Sequence, residues 1–337
     1  MRVLAGTSRG VFEIEPVASS APREVLSCEE VRDITVANGS IFASTGAGLF
    51  AADDQARSWK CVAMEDRQVW QVRPAGDEVL YAVTQPAGLY RSEDRGQTWA
   101  EVSSFADAPE ATDWCVPLDP PLPGRARALV VDRDDPDRLW VGVEVGGVMA
   151  TTDAGATWKL VAPGDNPDLH MMWAHPDDPS TLFASTGYGR FDGIAEMVEP
   201  NAGVFRSRDH GETWQYAWHG ITPRYARPMC IDTRAPYALT VASAPTAFSA
   251  HDRDGGAGAM LYRSDDQGDS WRSLCDPAHS PSTANFHGLT VDPTRQGGVL
   301  AGTDTGEVWQ VGDDGDWTRL AEGLPPVLAV AAWEPSR

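Results

Sequence analysis

The sequence predicts an all-β fold, a seven-bladed β-propeller of four-stranded antiparallel blades in which the C-terminal strand completes the first blade and closes the ring. Three observations carry this. A motif, Ser/Thr-x-Asp-x-Gly-x-Thr/Ser-Trp, occurs four times, at Ser92–Trp99, Thr151–Trp158, Ser207–Trp214 and Ser264–Trp271. Two worn copies add to it: Ala52–Trp59, with Ala56 where Gly belongs, and Val311–Trp317, one residue short. Internal repeats of this kind mark arrays and propellers. Second, short alternating, β-branched runs bounded by Gly, Pro and Asp fill the chain, which is the pattern of many short strands. Third, one repeat is split between the two termini.

In chain order, the first blade (1–28 plus 326–335) starts with Arg2–Gly6, Gly10–Glu15 and Arg23–Leu26, which read as second, third and fourth strands. Its first strand is Val327–Glu334, whose own followers are missing. Blade 2 (29–65) begins near Arg32 and ends on a worn motif, and blade 3 (66–105) begins near Gln68 and carries the first clean one. Blade 4 (125–163) is the clearest: strands over Arg127–Asp132, Arg138–Val143, Gly147–Thr151 and Thr157–Val161, with the motif as the turn before the last. Blade 5 (167–218) begins near Leu169, blade 6 (225–275) near Arg227 and blade 7 (285–321) near Phe286. Closure hides the sheet edges that would otherwise template aggregation.

The motif has a structural task. Its Asp accepts hydrogen bonds from turn N–H groups, its Gly supplies a positive φ, and its Trp packs between sheets. These copies resemble the BNR/Asp-box repeats of sialidases, xyloglucan-active glycosidases, sortilin-type receptors and the photosystem II assembly factor. The resemblance spans all seven units and implies the propeller. It leaves the function open, because these relatives include enzymes, receptors and assembly factors. Sialidases also carry an early Arg-Ile-Pro signature, and this sequence contains none.

The bulk numbers narrow the field. A net charge of -22 repels phosphate backbones and so argues against nucleic-acid partners. Five cysteines, an odd number without a C-x-x-C pair, fit reduced thiols and a cytoplasmic setting. No run approaches the length of a membrane-spanning helix, and the opening residues already alternate like a strand rather than a signal peptide.

Loop lengths choose a face. The long segments Phe105–Gly124, Gly187–Ala202, Trp218–Ala226, Ser243–Ala259 and Asp276–Asn285 all belong to the two connection types that share one end of a propeller. Long loops on a rigid scaffold build binding sites. Aligning the inner strands on the residue before the turn gives a column of Asp33, Gln68, Arg127, His170, Arg227, His287 and Ala329. Six of the seven are polar, which predicts a polar ring at the channel mouth. The next column inward, with Trp70 among mostly apolar residues, reads as core. At the ends of the second strands Thr is the repeated residue, and Glu144 is the acidic exception.

These residues sort into roles. Arg127 and Arg227 are the candidate grip on an acidic group, or else they neutralise Asp33 and Glu144. Glu144, Asp33, His170 and His287 are the candidate catalytic acids and bases, with Glu144 and Asp33 as the carboxylate pair of a glycosidase and a histidine as the base of a lyase. Gln68, Tyr188, Arg190, Trp114 and Tyr225 are further ligand-binding candidates, the aromatic ones either stacking on a sugar or gluing loops together. No cofactor is required. A divalent metal on His170, His287 and His251, completed by Gln68 or Glu144, is an added option without a compact ligand signature. The expected ligand is a small anionic or carbohydrate-like molecule, turned over by hydrolase-like or lyase-like acid/base chemistry. The competing reading is a non-catalytic binding or assembly module.

Overall fold

The computed structural model describes residues 1–15, 21–189, 199–247 and 250–333. Seven four-stranded antiparallel sheets form the blades, six running in chain order from channel to rim and the first with the C-terminal strand innermost. The inner strands are Val327–Trp333, Asp33–Ala37, Gln68–Ala75, Arg125–Val131, Leu169–His175, Tyr225–Ile231 and Phe286–Val291 for blades 1 to 7. Each packs on the next, and Val327–Trp333 contacts Asp33–Ala37, so the ring is continuous. Closure is as expected: Val327–Trp333 pairs with Arg2–Thr7, joining Ala331 to Leu4 and Ala332 to Val3.

Apolar side chains fill the wedges between neighbouring blades. Trp140 and Val148 of blade 4 pack with Met172 and Leu182 of blade 5, and Phe42 of blade 2 with Leu80 of blade 3. The Asp boxes staple the rim. In the box at Thr151–Trp158, Asp153 accepts from Thr157 N (2.9 Å) and Thr157 Oγ1 (2.6 Å), while Thr151 Oγ1 accepts from Gly155 N (3.0 Å). The other three clean boxes repeat these contacts. Both residues at each turn tip have positive φ, for instance Ala154 (55°) and Gly155 (89°). Hydrogen bonds from the threonine side chain and backbone hold the Asp153 carboxylate down at about 2. Two indole N–H groups reach beyond their own box: Trp271 Nε1 donates to Ala217 O at 2.7 Å and Trp317 Nε1 to Leu274 O at 2.8 Å, whereas those of Trp99 and Trp214 bond within theirs.

Two local expectations need correction. The last strand of blade 4 is Lys159–Val161 rather than Thr157–Val161, because Thr157 is already held by Asp153 inside the box. The segment after blade 3 is not a plain loop. It forms short helices at Ser103–Ala106 and Pro109–Asp113 and a two-stranded ribbon, Cys115–Val116 with Leu122–Pro123.

A feature of the inner strands decides the site. In six of the seven blades the pairing with the second strand slips near the mouth. The residues left out of register are Leu328, Trp70, Arg127, His170, Arg227 with Pro228, and His287. A bulge turns its extra residue out of the ladder and re-aims the side chain. Blade 2 has no slip; there Arg32, just before the strand, donates its backbone N–H to Ser44 O at 2.7 Å.

Candidate functional site

The bulged residues converge on a cup of about 80 Å³ at the channel mouth, lined by Arg32, Trp70, Gln71, Arg127, His170, Met171, Arg227, Pro228, His287 and Leu328. Gln71 closes its lower side: its Oε1 accepts from Leu129 N at 2.9 Å and its Nε2 approaches Met171 Sδ at 3.1 Å. All seven blades contribute to this lining, so the ring itself fixes the mutual distances across the cup.

Trp70 is the hub of the cationic side. The guanidinium carbons of Arg32, Arg125 and Arg127 lie 4.7, 5.1 and 5.1 Å from its ring centroid, each within cation–π range. Glu144 lies beside this group. Its Oε2 accepts from Arg127 Nη1 at 2.8 Å and sits 3.3 Å from Arg125 Nη1. Burial pushes the Glu144 carboxyl up, but Arg127 and Arg125 outweigh that and hold it down at about 2. Arg32 pairs with Glu30 at 2.5 Å. Burial lowers the pKa of Arg32 and of Arg125, and neighbouring guanidiniums add to it. Arg227 has no carboxylate partner among the described residues; it donates to Ala247 O at 3.0 Å and lies 5.2 Å over Tyr225. His287 Nδ1 is 3.4 Å from Arg227. Burial, then Arg227, Arg32 and Arg127, push the His287 imidazole down to about 3, so it is neutral at ordinary pH.

His170 is positioned differently. Its Nδ1 lies 2.6 Å from Ala226 O, an acceptor that fixes the proton on Nδ1 and leaves the lone pair on Nε2. That Nε2 is buried, has no hydrogen-bond partner among the described residues, and lies 3.2 Å from Asp168 Oδ1. Asp168 reaches it because blades 4 and 5 join by a bridge between Glu144 and Asp168. Asn166 secures the loop: it accepts from Asp168 N at 2.8 Å and donates to Asn201 O at 2.7 Å and to Gly187 O at 3.2 Å. Gly187 must be glycine, since a Cβ there would fall 2.1 Å from Asp168 Oδ2 and 2.8 Å from the His170 ring. Tyr225 completes the group, its ring 4.9 Å from His170 and 5.3 Å from Tyr188. Burial pushes its hydroxyl up to about 12.

Buried polar atoms normally find partners. Here the side-chain nitrogens of Arg32 (Nε), Trp70 (Nε1), Arg125 (Nε), His170 (Nε2) and Arg227 (Nε) are buried without one among the described residues, all at this mouth. Unspent hydrogen-bonding capacity in one cup is what a polar ligand uses. Glu144, Asp168 and His170 also offer ligand atoms within 4.8 Å of one another, the one group of described residues so placed for a cation. The two guanidiniums on Glu144 already balance its charge there.

The polar column therefore holds for Arg127, His170, Arg227 and His287, which the cup brings together with Glu144 beside them. It fails for two members. Asp33 lies further down the channel, accepting from Arg73 at 2.7 Å and Thr35 at 2.9 Å, because blade 2 has no bulge. The pairing of Glu144 with Asp33 is thereby replaced by Glu144 with Asp168. Gln68 stays in the ladder opposite Gln85, and Trp70, expected in the core, takes the lining position. Trp114 packs on Phe105 at 5.0 Å and supports a loop. His251 faces Asp304 O at 3.4 Å, and His287 faces Arg227 rather than a carboxylate, so neither joins Glu144, Asp168 and His170. Arg190 lies outside the described residues. Arg32, Trp70, Arg125, Asn166 and Asp168 escaped the sequence reading. The one available signal was Asn166-Pro167-Asp168, a tight polar turn just before the His170 strand.

Comparisons with known proteins agree with this architecture. A family model described as BNR-Asp box repeat matches residues 89–102, around the first clean box. An oligoxyloglucan-reducing end-specific xyloglucanase from Emericella nidulans is 26% identical over 253 residues, covering 66% of this chain and 28% of the relative. The chain thus spans less than a third of the length of that relative. Among solved structures, the GH74 xyloglucanase from Xanthomonas campestris superposes with a TM-score of 0.62 at 17% identity, over 86% of this chain and 45% of that one. YCF48 from Cyanidioschyzon merolae gives 0.56 at 14% identity, over 87% and 86%. At these identities the superpositions speak to fold alone.

Proposed function

We propose that this Asp-box propeller is a carbohydrate-acting enzyme, related in type to glycoside hydrolases, whose channel mouth binds a small sugar-like molecule bearing a carboxylate. The observation that carries the reading is that Arg32, Trp70, His170 and Arg227, each with a buried partnerless nitrogen, line one cup, with Arg125 beside them. A guanidinium presents its donors as a planar fork that matches a carboxylate. Four guanidiniums (Arg32, Arg125, Arg127, Arg227) face three carboxylates (Glu30, Glu144, Asp168), so the mouth carries one net positive charge on a chain of -22. That local field draws in an anion which the rest of the surface repels.

The cup is small, so it suits the acid group, with the remainder of the molecule lying among the mouth loops. The distant similarity to xyloglucanases supports a carbohydrate as that remainder. Trp70 lines the cup. Glu144, held ionised by two arginines, orients Arg127.

A screen against uronides, neutral aryl glycosides and sulfate or phosphate esters tests the reading. Uronides are expected to be turned over, with Arg127→Ala raising KM by about tenfold or more, the size of one charge-assisted hydrogen bond of roughly 1.5–3 kcal/mol. Glu144→Gln is expected to raise KM as well, by freeing Arg127. Equal turnover of neutral and acidic substrates, unaffected by either change, would sink the proposal.

A further inference from the structure

The arrangement around His170 goes past binding. Resting on the reading above, we infer that the bond is broken by β-elimination rather than hydrolysis, with His170 Nε2 taking a proton from the carbon next to the bound carboxylate and Tyr225 giving one to the leaving oxygen.

Hydrolysis of a glycoside needs a protonated acid at the leaving oxygen and, in most cases, a second carboxylate acting on water or on the sugar. The carboxylate that the sequence singles out for this work, Glu144, is clamped by Arg127 and Arg125 at 2.8 and 3.3 Å. A carboxylate held that way keeps its charge and has no proton to donate at neutral pH. Elimination has other needs: a cationic clamp that stabilises negative charge building on the substrate's acid group, a base beside it, and a neutral proton donor. The cup is lined by the clamp and the base, and Tyr225 packs directly on the base. Arg127 and Arg227 come from blades 4 and 6, and His170 from blade 5 lies between them on the ring. The carbonyl of Ala226 directs the lone pair of His170 to Nε2, which no protein donor occupies. Asp168 Oδ1, 3.2 Å from that nitrogen, stands ready to accept from the imidazolium once it forms. Tyr225 is next to His170, 4.9 Å between ring centres, and its burial keeps the hydroxyl proton in place.

The step balances without a co-reactant. The C–H bond next to the carboxylate breaks, and its proton goes to His170 Nε2. Its electron pair becomes the second bond of a C=C to the neighbouring carbon. The bond from that neighbour to the leaving oxygen breaks, and the oxygen takes the proton of Tyr225. The products are an unsaturated sugar acid and an alcohol. Exchange with solvent then returns the proton held by His170 and restores that of Tyr225.

The test is product analysis of the whole chain in water enriched in heavy oxygen. The probe is a set of uronate oligosaccharides whose linkage oxygen sits on the carbon β to the carboxylate. The expected result is growing ultraviolet absorbance from a conjugated acid, with product masses that show no water added across the cleaved bond. His170→Gln is expected to lower kcat by about 10²–10⁴-fold with KM little changed, and Tyr225→Phe to lower kcat by a similar range. Saturated products carrying heavy oxygen would overturn elimination while leaving the mouth as a glycan-cleaving site. Failure of the wild-type chain to cleave any acidic oligosaccharide would overturn both. A folded His170→Gln protein with full kcat would remove His170 as the base. The wild-type products alone decide between the two reactions, even where a variant does not fold.

Discussion

At the scale of the residue, this mouth is governed by charges that have been brought out of water together. His287 is the clearest case. Burial and three guanidiniums push its pKa from 6.5 to about 3, so the fold holds it neutral while the unfolded chain lets it protonate. A depressed histidine costs stability as pH falls below its unfolded value. Between pH 6.5 and about 3 the unfolded state binds one more proton at this site, and stability falls by up to about 1.4 kcal/mol per pH unit. His287→Asn is expected to flatten that slope, measured by urea unfolding at several pH values between 4.5 and 6.5. Glu144 does not confuse the reading, since its own window lies between 4.5 and about 2. A slope that is the same in wild type and variant would show that His287 is not the buried neutral group described. Glu144 itself was legible in the sequence, as an acid where the repeat has threonine. Its partner Arg127 was legible too, but two other neighbours were not. Arg125 stands opposite Glu144 in the blade 4 hairpin, two residues outside the strand start read from the sequence, and Asp168 becomes its neighbour only where blades 4 and 5 bridge.

At the scale of the element, the Asp box and the bulge have opposite meanings. The box is regular, local and structural. The turn hydrogen bonds that define it lie within eight residues, which is why the sequence announces it and why its role could be read correctly. Gly96 illustrates the cost of altering it. Its φ is 85°, and a Cβ there would lie 2.8 Å from the ring of Phe42 in the neighbouring blade. Gly96→Val is expected to cost about 2–4 kcal/mol through left-handed strain and overpacking. Turnover per folded molecule is expected to be unchanged, because this box is remote from the mouth. A thermal melt beside an activity assay checks both halves, and a specific loss of kcat would contradict the division of labour. The bulge is the reverse. It is one residue of slip in an otherwise ordinary strand, invisible to alternation, yet it moved the lining position of blade 3 from Gln68 to Trp70. The lack of one in blade 2 exchanged Asp33 for Arg32.

At the scale of the molecule, the ring is held shut by one strand. Val327–Trp333 supplies the inner edge of blade 1, and Val327, Ala329, Val330, Ala331 and Trp333 are buried in cores on both sides of it. Trp333 Nε1 also donates to Asp54 O of blade 2 at 2.9 Å. A chain ending at Pro326 would expose both the pairing edge of Arg2–Thr7 and those two cores. The expected outcome is loss of cooperative unfolding and aggregation, seen by calorimetry and light scattering. A soluble truncated protein with a sharp transition would mean that the other six blades close without it. The site depends on the same closure, since its lining side chains are drawn from all seven blades.

The sequence by itself determined the blade count, the closure, the face of the long loops, and the four ring residues Arg127, His170, Arg227 and His287. Each of these follows from periodicity or from a departure from a repeat, and both are written along the chain. Only the tertiary structure decided that Arg32 and Trp70 complete the cup, that Asp33 turns down the channel to Arg73, and that Asp168 stands beside His170. The physical reason is that these outcomes depend on single-residue slips in strand pairing and on contacts between blades. Sequence spacing encodes which residues lie on one strand, and the angle at which seven strands meet decides which of them face one another.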